Sequence, residues 1–191
     1  AGQADLILVD SDDLSKFRIG KPARRFAYAV NEQLYRPRPK THDVAFLCWP
    51  TPPRREVCAQ TAEICARHGW SFLTGTYANY QDYAAAIGSA KVVVHKAHVE
   101  QARSWRVFDV MASRGCLLSS PLPAVSGDGL VKGIHYAEYG SPEELEPQLE
   151  YLLEGYWGTM AIAGYEHVLE HHTWSARARQ LRELLSEELG L

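Results

Sequence analysis

The chain has 191 residues, of which 46% are hydrophobic and 23% are charged, and its formal net charge at pH 7 is −3. This length suits one large domain, or one domain with an additional segment, and the composition is that of an ordinary globular protein. The slight acidic excess argues against a nucleic-acid-binding protein, because such proteins usually carry an excess of basic residues.

The first predicted elements are two strands, DLILVD at 5–10 and ARRFAYAV at 23–30, followed by a linker at 31–42 that is rich in Pro and Arg. A second unit begins with DVAFLCW at 43–49, an apolar run of strand length. The next segment predicts a helix, because prolines stand at its entrance and Gly69 at its end.

Strands and helices then alternate to the end of the chain. KVVVH at 91–95 is β-branched and predicts a central strand. The other predicted strands are 70–75, 116–120 and 133–140. The predicted helices are 79–90, one from Arg106 that ends at Gly115, 141–155, 156–171 and 174–189. In the helix at 141–155 we expect a capping box from Ser141 to Glu144, and Pro147 should either kink the helix or confine its regular part to the residues that follow.

This alternation predicts an α/β fold, with a Rossmann-like parallel sheet flanked by helices. Ligands of such sheets bind beyond the carboxyl ends of the strands, often at helix N-termini. Four polar segments occupy such places, at 48–55, 74–79, 95–108 and 119–129.

The segment CWPTPPRRE at 48–56 leads from a strand into a helix. A helix N-terminus attracts anions, and Arg54 and Arg55 would strengthen this effect, so a diphosphate site is one interpretation. A solvated first turn with two surface arginines is an equal alternative. Neither G-x-G-x-x-G nor a P-loop occurs, so sites of those two kinds are not supported.

The segment HKAHVEQARSWR at 95–106 is unusually polar for a connection after a buried strand. It ends at Arg106, three residues before Asp109. This spacing allows an intrahelical ion pair worth a few tenths of a kcal/mol. The alternative is that both side chains face a ligand crevice.

Neither the cysteines nor the histidines predict a metal site. Cys48, Cys58, Cys65 and Cys116 contain no C-x-x-C pair, and we expect them to be buried and reduced. His167 and His171 share a helix face, but the order H-E-x-x-H is absent. No apolar run approaches the ~20 residues that span a bilayer, and no signal peptide is apparent, so we expect a cytoplasmic protein.

The second half of the chain resembles a known family. The resemblance lies in three segments, WRVFDVMASRGCLLSS, GIHYAEYGSPEELEPQLEYLLEG and MAIAGYEHVLEHHTWSARARQL. In order and spacing they are similar to the C-terminal region of group-1 glycosyltransferases, especially the spore-maturation-protein-like branch. The opening part, through residue 37, looks like the last strand of an acceptor domain that runs into an interdomain linker.

The resemblance implies the C-terminal, donor-binding half of a GT-B fold. Residues 1–40 would be the end of an acceptor domain with its linker, and residues 41–191 the nucleotide-sugar-binding domain. Asp109 matches a glutamate that accepts hydrogen bonds from the ribose hydroxyls in relatives. Gln101 stands where retaining relatives have a glutamate on the donor sugar. Arg106 and Lys96 would stabilise the charge of the leaving diphosphate.

We also assign to donor binding four residues of the polar segments: His95, Trp49, Arg54 and Ser120. No metal and no further cofactor is expected, since the resemblance implies that cations and helix N-termini serve the diphosphate. Only about 40 residues precede the predicted donor domain, whereas an acceptor domain needs ~150. We therefore expect either a missing acceptor domain or a partner chain.

Two functions follow as expectations. The first is a glycosyltransferase whose donor-binding region needs an acceptor domain from elsewhere, with an unknown acceptor. The second is a degenerate GT-B half that acts as a non-catalytic interaction module. In full-length relatives the last helix would return to the other domain, so we expect a partly exposed apolar patch there, formed by Leu181, Leu184, Leu185 and Leu189.

Overall fold

A computed structural model describes residues 6–9, 23–97 and 104–190. The strands are β1 (Ile7–Val9), β2 (Ala23–Arg25), β3 (His42–Leu47), β4 (Phe72–Gly75), β5 (Ala90–His95), β6 (Cys116–Ser119) and β7 (Ala137–Glu138). The α-helices are α1 (Pro52–His68), α2 (Tyr80–Ser89), α3 (Arg106–Ala112), α4 (Pro142–Tyr151), α5 (Trp157–His171) and α6 (Trp174–Leu189). None of the helices in these ranges is long and apolar enough to cross a membrane.

The main sheet has five parallel strands in the order β4-β3-β5-β6-β7, and β1 and β2 form a separate parallel pair. The predicted parallel α/β sheet is therefore confirmed, with β5 at its centre. The direction of strand succession reverses between β3 and β5, because β4 lies on one side of β3 and β5 on the other. Such a reversal opens a crevice beyond the carboxyl ends of the two strands.

The hydrophobic core covers both faces of this sheet. Val92, Val93 and Val94 of β5 are at most 1% exposed. Val93 packs into a layer that includes Phe108 of α3, and its two neighbours pack into the opposite layer, which includes Ile64 of α1. A strand buried on both faces reads as a continuous apolar run, which is why the sequence identified β5 so clearly.

Two predicted strands are much shorter in the structure. The strand expected at 23–30 ends at Arg25, and Val30 instead forms an isolated bridge to Thr173 at the junction of α5 and α6. The strand expected at 133–140 is only Ala137–Glu138. A turn occupies the residues before it, because Gly133 has a φ of 81° and donates its N–H to the carbonyl of Tyr136 at 2.8 Å.

The predicted kink at Pro147 was wrong. α4 runs through Pro147 without interruption, and the break comes at Gly155, with a φ of 143°, inside a π-helical turn. A residue with an N–H at position 147 would donate to the carbonyl of Glu143. That carbonyl lies in the exposed first turn, so the hydrogen bond that proline removes costs little there. The capping box was also wrong, since the Glu144 carboxylate accepts from the N–H of Gly140 at 2.7 Å.

The end of α3 differs from its prediction as well. Gly115 was expected to supply the left-handed conformation that ends the helix, but Arg114 adopts it, with a φ of 52°. Gly115 is needed for another reason. A Cβ atom there would lie 3.2 Å from the Cγ1 of Val110, so a side chain at this position would crowd the turn into β6.

The two C-terminal helices confirm their predicted ranges, and so does the end of α1 at Gly69, which has a φ of 68°. The expected apolar patch on α6 is present. Its leucines are half-buried or, at Leu189, 36% exposed.

Candidate functional site

A cavity of about 630 Å³ opens at the carboxyl ends of β3, β4 and β5. Its wall comes from the segments that follow these three strands, together with residues before β3 and at the start of α6. The cavity therefore lies at the reversal point of the sheet, where ligands of parallel α/β sheets bind.

The carboxyl group of Asp109 lines this cavity and is almost completely buried, at 5% exposure. Its Oδ1 atom has no hydrogen-bond partner. Burial raises the pKa of Asp109 to about 7, against the opposing effect of the nearby Arg106 guanidinium. An unpartnered buried carboxylate oxygen is costly, so this atom is suited to accept hydrogen bonds from a bound molecule.

Arg106 does not form the ion pair that its spacing from Asp109 allows. Its Nε donates to the Tyr83 hydroxyl at 2.8 Å, and its Nη1 lies 3.2 Å from Nδ1 of His95. Both Arg106 and Asp109 line the cavity. The structure therefore agrees with the interpretation that both face a ligand crevice.

Arg54 brings a second guanidinium to the same wall. Its Nε donates to the backbone carbonyl of Lys96 at 3.2 Å, which links the first turn of α1 to the end of β5. Partial burial and then the charge of Arg106 lower the pKa of Arg54. Two positive charges in one cavity wall repel each other, and an anion bound between or beside them would relieve this repulsion. Arg55, in contrast, is exposed and does not line the cavity.

The other predicted site residues have different positions. Trp49 lines the cavity and is 73% exposed. His95 is 1% exposed and lies behind Arg106, outside the lining. Lys96 contributes its carbonyl to Arg54, and the Ser120 hydroxyl accepts the N–H of Ala97 at 3.1 Å, but neither side chain lines the cavity. Gln101 lies outside the described residues.

Apart from Trp49, the sequence did not identify the aromatic part of the lining. This part consists of Tyr28, Tyr35, Tyr77, Tyr80, Tyr83, Trp105 and Trp174. The four most exposed large apolar side chains in the described ranges all line the cavity, with exposed fractions of 58–73%. They are Trp49, Tyr80, Trp105 and Trp174. Only Tyr80 and Tyr83 carried a usable sequence pattern, because their spacing of three places them on one face of a helix that starts after β4.

His167 of α5 and His172, which directly follows this helix, are hydrogen-bonded to the backbone. Nε2 of His167 and Nε2 of His172 lie 2.9 Å and 2.8 Å from the carbonyl oxygen of Asp128, and both must donate because a carbonyl only accepts. Nδ1 of His172 accepts from Arg177 at 2.8 Å. Within the described residues, no group of three or more His, Cys, Asp or Glu is placed to hold a metal ion.

The amino-acid sequence matches the family described as "Glycosyl transferase-like" over residues 34–183. No curated protein matches the chain at a significant level.

Several solved structures share the fold. A glycosyltransferase from Rickettsia africae superimposes with a TM-score of 0.72 at 9% identity, covering 97% of this chain and 64% of that chain. The Anabaena protein HepE in complex with UDP gives 0.69 at 12% identity, covering 96% and 64%. A sucrose-phosphate synthase from Thermosynechococcus elongatus gives 0.68 at 14% identity, covering 98% and 59%.

These likenesses show that the fold is the Rossmann-like α/β fold of GT-B glycosyltransferases. The chain spans only 59–64% of the length of these three structures.

Proposed function

Because the chain belongs to the glycosyl transferase-like family, we propose that it is the donor-binding region of a GT-B glycosyltransferase and that its cavity holds a nucleotide-diphosphate sugar. The observation that carries the proposal is the buried, unpartnered Oδ1 of Asp109 in a cavity that also contains two guanidinium groups. This lining can accommodate a ribose diol and a diphosphate, and its aromatic residues can pack against the base or the sugar.

Each part of such a donor has a matching group. The Asp109 carboxylate can accept hydrogen bonds from the vicinal ribose hydroxyls. Arg54 and Arg106 can bind the diphosphate and stabilise the charge that develops on it as the sugar leaves. The sequence suggested Lys96 as the second cation for the diphosphate. Arg54 is the better candidate, because it lines the cavity with Arg106 and Lys96 does not. In this proposal the two cations serve the diphosphate without a metal ion.

The structural neighbours support the choice of ligand. HepE of Anabaena is known in complex with UDP and also with UDP-glucose, at 11–12% identity to this chain. A UDP-sugar is therefore the first donor to test here. The assignment to the spore-maturation-protein-like branch, with a cytoplasmic location, rests on the sequence motifs and stays a prediction.

Sugar transfer by this chain would need an acceptor domain. We propose that residues 1–40 belong to that domain and its linker and that residues 41–191 form the donor domain. The short parallel pair of β1 and β2 agrees with this division, since a two-stranded sheet of three-residue strands is not stable without further strands.

Calorimetric titration with UDP, GDP, dTDP and their glucose conjugates tests the proposal. We expect one nucleotide and its sugar conjugate to bind wild-type protein, and Asp109→Ala to weaken both by at least about tenfold, as expected for losing hydrogen bonds to a charged group. The matched control is Glu63→Ala, which removes a carboxylate from the exposed side of α1. Binding of none of these ligands would contradict the proposal and favour the non-catalytic interaction module.

A further inference from the structure

We propose that Tyr83 and His95 are positioning residues, which hold the Arg106 guanidinium at the cavity wall for the diphosphate of the donor. The inference rests on the proposed function and deepens it, because it identifies which residues prepare the anion site before the ligand arrives.

The geometry fixes Arg106 from two sides. Tyr83 comes from α2, His95 is the last residue of β5, and Arg106 is the first residue of α3. The Tyr83 hydroxyl accepts from Nε at 2.8 Å and His95 Nδ1 accepts from Nη1 at 3.2 Å. The Tyr83 ring is itself packed edge-on against Tyr35, with centroids 6.3 Å apart. A guanidinium held at two of its nitrogens has one remaining edge to offer the cavity.

Both partners of Arg106 are uncharged. A guanidinium can only donate, so Nδ1 of His95 must carry a lone pair and the proton must be on Nε2. Burial, and then the charges of Arg106, Arg54 and Lys96, lower the pKa of His95 well below its usual value, which keeps the ring neutral. A carboxylate in either place would orient the arginine equally well but would neutralise its charge. Neutral acceptors leave that charge available for phosphate oxygens.

His95 also carries a cost that packing does not explain. Its Nε2 is buried and has no hydrogen-bond partner, which costs ~1–3 kcal/mol. The three residues before it in β5 are valines that fill the core without such a cost. An apolar residue would serve the core better at this position, whereas only a side chain with an acceptor can hold Arg106.

The first test compares UDP with uridine, which lacks the diphosphate. Tyr83→Phe keeps the ring and removes only the acceptor of Arg106. At a single pH of about 8, we expect this variant to weaken UDP binding about tenfold and to leave uridine binding unchanged. The measured quantity is the ratio of the two dissociation constants, from calorimetry.

Tyr77→Phe is the matched control, because this tyrosine lines the same cavity and packs against Tyr83 but makes no hydrogen bond to Arg106. Whatever it does to either ligand, the ratio of uridine to UDP dissociation constants should stay at the wild-type value. The inference would be overturned if Tyr83→Phe weakened uridine and UDP binding equally, or weakened neither. In that case UDP binding by the wild type would still uphold the proposed function. If the wild type binds another nucleotide of the calorimetric set instead of UDP, the comparison uses that nucleotide and its nucleoside. If it binds none of them, both proposals fail.

The second test needs no nucleotide. Nitrogen NMR of the full chain at neutral pH should show His95 as the neutral Nε2–H tautomer. The same spectrum in Tyr83→Phe should retain this tautomer, since His95 keeps its own contact with Arg106. A proton on Nδ1 of His95 in the wild type would exclude the hydrogen bond from Arg106 and would overturn the inference.

Discussion

Asp109 combines two properties that oppose each other in the free protein. Its side chain is 5% exposed, and burial raises its pKa to about 7. Ionisation is therefore unfavourable in the folded state, although the ionised form is the better acceptor for a ribose diol. A bound diol would donate to the carboxylate and so favour its charged form, which makes binding and ionisation mutually supportive.

We expect the stability of the unliganded protein to reflect this raised pKa. An unfolded aspartate ionises near pH ~4. Below that value Asp109 favours the folded state, and the contribution is lost as the pH rises to about 7, because the folded state then retains the proton longer. Between about pH 5 and pH 8, the unfolding free energy of the wild type should fall by roughly 2–3 kcal/mol relative to that of Asp109→Asn.

Urea denaturation of both proteins at the two pH values measures this difference. Glu63→Gln, which removes one exposed carboxylate, serves as the control and should follow the wild type at both pH values. Parallel pH dependences of Asp109→Asn and the wild type would mean that Asp109 ionises normally, and the cavity would then lack its buried, protonatable group.

Helix α5 reaches the core through Gly164. A Cβ atom at this position would lie 2.9 Å from the carbonyl oxygen of His135 and 3.1 Å from the Cγ of Met111. The glycine thus lets α5 approach both the turn before β7 and the helix α3, which carries Arg106 and Asp109. α5 therefore packs against the helix that supplies two residues of the cavity lining.

Replacing Gly164 with Ala should destabilise the protein, although alanine is the better helix former by about 1 kcal/mol. We expect a loss of roughly 1–3 kcal/mol in thermal or urea unfolding, since the backbone oxygen of His135 cannot move aside as a side chain would. Gly158→Ala in the same helix has open space around its Cβ and should stabilise by about 0.5–1 kcal/mol. Equal effects of the two changes would contradict the close packing of α5 on α3.

At the scale of the whole molecule, the exposed tryptophans lie at the cavity, whereas the exposed Tyr151 and Tyr156 stack on each other elsewhere. Of its five tryptophans, Trp49, Trp105 and Trp174 line the cavity and are 58–73% exposed. Indole rings at the mouth of a concave site offer flat faces to a base or a sugar, and aromatic stacking on a base is worth ~1–3 kcal/mol.

Ligand binding should therefore be visible in both fluorescence and stability. Titration with the nucleotide sugar selected by calorimetry should change tryptophan emission with the calorimetric dissociation constant. At about 100 times that constant, the unfolding free energy should increase by about 2.7 kcal/mol. The double variant Trp70→Phe, Trp157→Phe alters the two tryptophans outside the cavity. It should keep the full change in emission, whereas loss of the change would place the ligand elsewhere.

The order of elements could be derived from the chain because it depends on local patterns. Val92 to Val94 specify a strand buried on both faces, and the prolines and Gly69 delimit α1, whatever surrounds them. Parallel strands bring their carboxyl ends to one edge of the sheet. The sequence could therefore place Arg54 and Asp109 near each other before their geometry was known.

Side-chain direction and solvation depended on partners from remote segments. Arg106 turned from Asp109 to Tyr83 and His95, because these residues of α2 and β5 offered acceptors that the spacing within α3 could not reveal. Trp174 entered the site from a helix that begins 65 residues after Asp109. Local periodicity determined which elements form, whereas desolvation and hydrogen bonding between distant segments determined which side chains make the site.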